Sequence, residues 1–353
     1  MQAPCIVGRP RASHRLAALA TAIAGFALAP ACHAQDAERA FDLHGYGQIS
    51  EVRNESAPGG RFEFDYDLSA QGVWRMRPDL RAWVQVARYK EAGTRLEWAF
   101  LDWDVSAATT MRLGQTRVPM GLINEARDVQ TLRNSISMPM LYDEEHGLVA
   151  EAMRGVVVEH RRESAQMGGL VAEGYAAGSI VSGEHSGGMS ARIVGGRLQW
   201  TPLSSDWTFA ASAHGGGQAS AEPDAAPGRH ARHALVLSAK TRVMNWDFGS
   251  EIGTGRTGEG KVRVGYVQAE RGIGLQSVFF VRADSSHRRS VDDDASERRS
   301  RLAMGLAWKP SASWGFRIEA GTNRHAPPAE SSSPATPPRA QWNDVAVSFN
   351  FYL

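Results

Sequence analysis

RLGQTRVPMGLINEARDVQTLRNSISMPMLY, running from Arg112 to Tyr142, is the stretch whose reading decides the fold. It begins as a strand, with Met111 and Leu113 alternating against Arg112 and Gly114. Pro119 then removes a backbone donor and Gly121 follows, so a sheet ladder should stop there. The next convincing strand is Arg154 to Arg161, about thirty residues on. A connection that long without its own regular structure is uncommon in a compact domain and usually functional. This one carries Arg117, Arg127 and Arg133 with Glu125 and Asp128, and also Leu122, Ile123, Met138, Met140 and Leu141. With a charged and an apolar side, it can pack on a wall and still face water.

Working outward, residues 1–34 read as a signal peptide. Arg9, Arg11 and Arg15 precede an apolar run from Leu16 to Ala29, too short to span a bilayer comfortably. The cleavage site would follow Ala34, with Cys32 and Ala34 as its two small residues. An uncleaved anchor and a lipid-modified Cys32 are the alternatives. Cleavage after Ala34 removes both cysteines, Cys5 and Cys32, so residues 35–353 carry no disulfide or thiol chemistry.

The net charge of +1 supplies no strong field for nucleic acid, and no nucleic-acid partner is expected. Lysine is confined to Lys90, Lys240, Lys261 and Lys309, and arginine makes up the rest of the basic residues. A fixed, permanently charged fork suits a wet site that holds anions. Base composition of the genome is an equal explanation.

Period-two segments recur along the chain, sixteen in all, from Phe41–Ser50 to Asn343–Leu353. Arg301 to Trp308 puts Leu302, Met304, Leu306 and Trp308 on one face. Lys261 to Ala269 puts Val262 and Val264 opposite Lys261 and Arg263. A soluble sandwich has the same alternation, so the connections must decide. Three short turns place Pro between two Trp: Trp74-Pro78-Trp83, Trp200-Pro202-Trp207 and Trp308-Pro310-Trp314. All join an even strand to an odd one, hence one rim, and indoles favour the level of lipid headgroups. The long links are odd to even, including 176–191 and 215–233. Short turns on one rim and long loops on the other mark a transmembrane barrel.

The final strand agrees. Val345, Val347, Phe349, Phe351 and Leu353 alternate with Ser348 and Asn350. Such an aromatic edge would invite aggregation unless closed against the first strand. The expected fold class is therefore all-β: a transmembrane, up-and-down antiparallel β-barrel, residues 35–353, with residues 118–148 folded inward as a constriction loop.

GQTRVPMGLINEARD, Gly114 to Asp128, resembles the segment after an early strand in the phosphate-selective porin O/P family of Gram-negative outer membranes. The Gly-Gln before an Arg, the Pro-x-Gly and the following acid carry the likeness, and Arg133, Ser135, Pro139 and Tyr142 continue it. The resemblance implies sixteen strands, a trimer and a loop lying in the pore.

Arg112, Arg117, Glu125, Arg127, Asp128 and Arg133 are the pore-lining candidates. Arginine rings favour anions and acidic rings favour cations; the mixture would give a transverse field. The alternative is that they pair with one another to hold the loop. Asp143-Glu144-Glu145-His146 and Asp292–Asp294 read as solvated tips rather than metal sites. His214, His230 and His233 share one expected long loop but suggest no catalytic set. The expected function is a porin passing small polar solutes or ions, in contact with outer-membrane lipid, with no enzyme activity and no cofactor. A channel selective for a small anion or organic acid is one alternative. A soluble, secreted β-sandwich that binds glycan is another.

Overall fold

The computed structural model describes residues 40–54, 61–127, 129, 132–143, 148–182, 185–219, 229–257, 260–290, 296–326 and 341–353. The expected signal peptide, Asp128, and most of both acidic clusters lie outside these residues.

Sixteen strands follow one another in order. The first eight are β1 (Phe41–Asn54), β2 (Arg61–Arg77), β3 (Leu80–Tyr89), β4 (Gly93–Ser106), β5 (Thr109–Arg117), β6 (Ala152–Ser164), β7 (Gly168–Ser182) and β8 (His185–Thr201). The second eight are β9 (Thr208–Ala219), β10 (Arg229–Val243), β11 (Trp246–Arg256), β12 (Gly260–Ile273), β13 (Ser277–Ser290), β14 (Ser296–Trp308), β15 (Trp314–Ala326) and β16 (Gln341–Tyr352). Each pairs antiparallel with its neighbours, and β1 pairs with both β2 and β16, so the sheet closes on itself. Leu353 completes the seam: its N–H donates to the Gly45 carbonyl at 2.6 Å and its carbonyl accepts from the Gly45 N–H at 3.1 Å. A closed ring has no sheet edge, and this excludes the two-sheet sandwich.

Every expected strand is present, and several run further than their apolar alternation. The expected loop 176–191 is the clearest departure: β7 extends to Ser182 and β8 begins at His185. Gly, Ser and His in this stretch break the alternation without preventing the ladder from continuing.

Cross-strand partners in a sheet share a face, so the exposed apolar residues can be followed round the ring. Phe279, Leu306, Ile318 and Val347 form one continuous row over β13–β16. Phe316 lies against Phe349, with ring centroids 5.0 Å apart. This outward surface is what a lipid-facing band requires. At the short-turn rim it ends in indoles: Trp308 meets Trp314 edge-on at 5.8 Å, and Trp207 stacks on Phe209 at 5.4 Å. Trp83 departs from the expected girdle. It pairs with Val73 rather than Trp74, so it takes the inner face and stacks on Phe100 at 6.1 Å.

The inner face has an inversion as well. Val262 and Val264 are buried inside the ring, while Lys261 and Arg263 face out. The reason is the long segment after β5, whose Leu141, Leu148 and Val149 join Val236, Val262 and Val264 in one apolar cluster.

Candidate functional site

The segment from Val118 to Glu151 leaves the wall where Pro119 ends the ladder. It is not structureless: it contains 3-10 turns at Asn124–Ala126 and Met140–Tyr142. Its two roots are tied together. Arg117 is 3% exposed, and its guanidinium donates to Glu151 at 2.6 Å and Glu97 at 3.1 Å, over the Trp98 ring. The Asn124 amide points at the carbonyls of Val118 (2.8 Å) and Ala150 (3.1 Å). A hairpin-like base of this kind replaces the ladder bonds that the departing chain gives up.

From that base the chain runs along the inner wall, its polar groups satisfied by strand side chains. The Gly121 N–H donates to Ser212 on β9 (3.1 Å), and the Gly121 carbonyl accepts from Arg197 on β8 (2.8 Å). Gly121 has φ +70°, and a Cβ there would come 2.0 Å from the Tyr142 hydroxyl. That position needs glycine for both reasons. Glu125 sits between Arg112 (3.0 Å) and Arg197 (2.6 Å). Burial pushes its carboxyl up, but the two guanidiniums outweigh this and hold it below the usual carboxylate range. Arg112 also reaches Glu159 at 3.3 Å, and Arg197 donates to Glu173.

The middle of the segment is held by β12, β13 and β15. Arg317 donates to the carbonyls of Arg133 (3.2 Å) and Ser135 (2.7 Å). Glu319 accepts from the N–H groups of Ile136 (2.7 Å) and Ser137 (3.1 Å). Arg282 donates to the Ser137 carbonyl at 2.9 Å and pairs with Asp284 at 2.8 Å, which in turn accepts from the Met140 N–H at 3.0 Å. Asn134 donates to Glu270 at 2.7 Å. Glu319 is held by Arg301 at 2.9 Å.

The closing contact lies on β11. Glu251 accepts from the Tyr142 hydroxyl, the Leu122 N–H (2.7 Å), Ser238 (2.6 Å) and Tyr266 (2.8 Å). Burial first, and then the Glu251 carboxylate, hold the Tyr142 phenol protonated well above its ordinary range. Gly253 and Gly255 leave room for Leu141 and Leu148; a Cβ on Gly253 would lie 2.9 Å from Leu148.

The structure thus gathers Arg112, Arg117 and Glu125 into ion pairs at the start of the segment. Arg127 lies within electrostatic reach of both Arg133 and Glu151, and the Arg133 pKa is pushed down to about 10, by burial first and then by Arg127 and Arg282. Arg197 and Arg317, which hold Glu125 and the Arg133 carbonyl, were not anticipated, nor were Glu251, Arg282 and Glu319, which hold the rest of the segment, or Arg301, which holds Glu319. The available signal was a charged residue at an inward position in the middle of a strand, as in Arg317-Ile318-Glu319. The histidines do not converge: His214 is buried on the inner face of β9, whereas His233 on β10 is exposed on the outer face. Among the described residues no group of His, Cys, Asp or Glu is arranged to hold a metal ion.

No family model matches this chain. No curated protein matches it either. Solved structures do. The anion-selective porin from Comamonas acidovorans has a TM-score of 0.61 at 11% identity, over 89% of this chain and 99% of that one. OmpF of Salmonella typhi has a TM-score of 0.65 at 10% identity, over 89% and 97%. The outer membrane channel DcaP of Acinetobacter baumannii has a TM-score of 0.59 at 10% identity, over 89% and 97%. At such identities the shared property is the fold: a closed, sixteen-stranded antiparallel barrel of the outer-membrane channel type.

Proposed function

We propose that this chain is a porin of a Gram-negative outer membrane, exported by residues 1–34, through which small polar solutes or ions diffuse passively. The observation that carries the reading is the attachment of the Val118–Glu151 segment to inward residues of β8, β9, β11–β13 and β15. A chain held across the inner face takes up part of the lumen cross-section. It leaves the remaining passage bounded by charged and polar side chains. In this reading residues 118–148 narrow the pore, and Arg112, Glu125, Arg127, Asp128 and Arg133 shape the field beside it. Arg117 acts from beneath, as a strut at the root. The test is conductance in a planar bilayer: discrete ohmic steps are expected, and an electrically silent, inserted protein would overturn the reading.

Selectivity for small anions is a second reading. It is favoured by Arg127, Arg133 and Arg282 lying close enough for the first and last to depress the Arg133 pKa. The likeness of Gly114–Asp128 to the porin O/P family points the same way and extends to a trimer. Reversal potentials in a salt gradient decide it, since clear cation preference is incompatible with it.

A further inference from the structure

A water-filled lumen is polar by default, so apolar side chains on its wall need a reason. On β10 and β12 the reason is the inserted segment: Val236, Val262 and Val264 pack with Leu141, Leu148 and Val149. A second inward apolar set has no such cover. Trp83 on β3 and Phe100 on β4 are cross-strand partners, with rings parallel to within 10°. Trp98, also on β4, tilts against Phe100 at 6.3 Å. All three rings are partly exposed, and among the described residues none belongs to the cluster under the segment. The segment is anchored on Glu251 of β11 and Glu270 of β12, which lie half-way round the ring from β3 and β4. On the porin reading, these rings therefore border the passage that the segment leaves.

The flanking groups say what such a surface would take. One row toward the short-turn rim, Arg81, Asp102 and Arg112 are partners across β3, β4 and β5. Arg81 pairs with Asp102 at 3.0 Å and Asp104 at 2.9 Å, and Arg112 pairs with Glu125 and Glu159. These guanidiniums are already matched by carboxylates, so the row offers directional hydrogen bonds without net attraction for an anion. One row the other way, Gln85 is fully buried. Neither its amide nor the indole N–H groups of Trp83 and Trp98 have a hydrogen-bond partner among the described residues. Buried amides and indoles usually have one. Flat apolar rings edged by hydrogen-bonding groups are complementary to a pyranose, which has an apolar C–H face and a rim of hydroxyls.

We propose that the inner wall of β3 and β4 binds neutral saccharides in transit. A pyranose ring lays its C–H face on Trp83 and Phe100, and its hydroxyls meet the Arg81–Asp102 pair. The proposal rests on the channel reading above and names the solute class that the passage favours. An aromatic carboxylate fits the rings equally well but asks for an uncommitted cation, and the guanidiniums beside them are paired.

The test is saturation-transfer NMR of the folded chain in an amine-oxide detergent, which brings no sugar of its own. The aromatic resonances are irradiated, and maltotriose, sorbitol and benzoate are titrated separately. Maltotriose should receive saturation on its ring C–H protons. Open-chain sorbitol has the hydroxyls without the ring face and should receive none. Added salt should leave the maltotriose titration unchanged. The combined variant Trp83→Ala, Phe100→Ala should raise the half-saturating maltotriose concentration about tenfold, and Trp83→Phe, which keeps a ring, should raise it less. Equal saturation of maltotriose and sorbitol overturns the proposal, as does an unchanged titration in the double variant or tighter binding of benzoate. Should the double variant fail to fold, the sorbitol and benzoate titrations of the unaltered chain decide alone. An unaltered chain that conducts ions but transfers no saturation to maltotriose overturns this proposal and leaves the channel reading standing. One that binds maltotriose but passes no current upholds the site and strikes at the channel reading instead.

Discussion

The hydroxyl of Tyr142 donates to the carboxylate of Glu251, a residue 109 positions away on β11. The same carboxylate accepts from the N–H of Leu122, so one side chain clamps both the early and the late part of the inserted segment. Tyr142→Phe removes the donor and keeps the ring. A hydrogen bond to a charged group contributes about 1.5–3 kcal/mol. The expected outcome is a noisier open channel and a matching loss of stability, read by single-channel recording and urea unfolding.

Gly121→Ala should disturb the same clamp from the other side. The added Cβ meets the Tyr142 hydroxyl, and the left-handed backbone costs about 1–2 kcal/mol for a non-glycine residue. Protease cleavage within 118–151 should become faster in the variant while the barrel itself stays resistant.

Arg197 is buried between Glu125 and Glu173. Arg197→Met leaves two carboxylates without their shared cation, and breaking a buried pair in this way costs about 3–5 kcal/mol. The variant should lose its heat-resistant gel mobility at a markedly lower temperature. Retention of the parental unfolding temperature would show that water already reaches these groups.

Glu125 sets a pH dependence. Its folded pKa is depressed by Arg197 and Arg112 against the effect of burial, so its stabilising contribution is complete above the unfolded value of 4.5. That contribution fades as pH falls from there through the folded value. Acidification should therefore release the segment and change conductance, and Glu125→Gln should already show the released behaviour at neutral pH.

Leu306 lies mid-row between Phe279 and Ile318 on the outer face. Leu306→Arg should cost about 2–4 kcal/mol if lipid covers it. Parental stability of Leu306→Arg in lipid vesicles would argue against a lipid-facing surface.

Strand number and order were legible because lipid-type alternation is local: Leu302, Met304, Leu306 and Trp308 announce their face without reference to any other strand. The site was legible only in outline. Arg112, Arg117 and Glu125 could be found because Pro119 and Gly121 mark where the ladder ends. Their partners Arg197 and Glu159 could not, since ring closure rather than sequence distance brings them near. Val262 and Trp83 show the same limit in reverse. An apolar side chain turns inward when something apolar waits inside, and an indole takes whichever face its ladder partner dictates.

The seam between β1 and β16 has a consequence for how such a molecule is made. Pairing Gly45 with Leu353 joins positions at opposite ends of the strand order, so no stable intermediate ring can exist while the final strand is missing. Contacts of that sequence separation form slowly. Until they do, the half-made sheet presents two open flanks and a greasy exterior. Closure therefore waits for the last strand, and ring formation is a single late event rather than a progression along the chain.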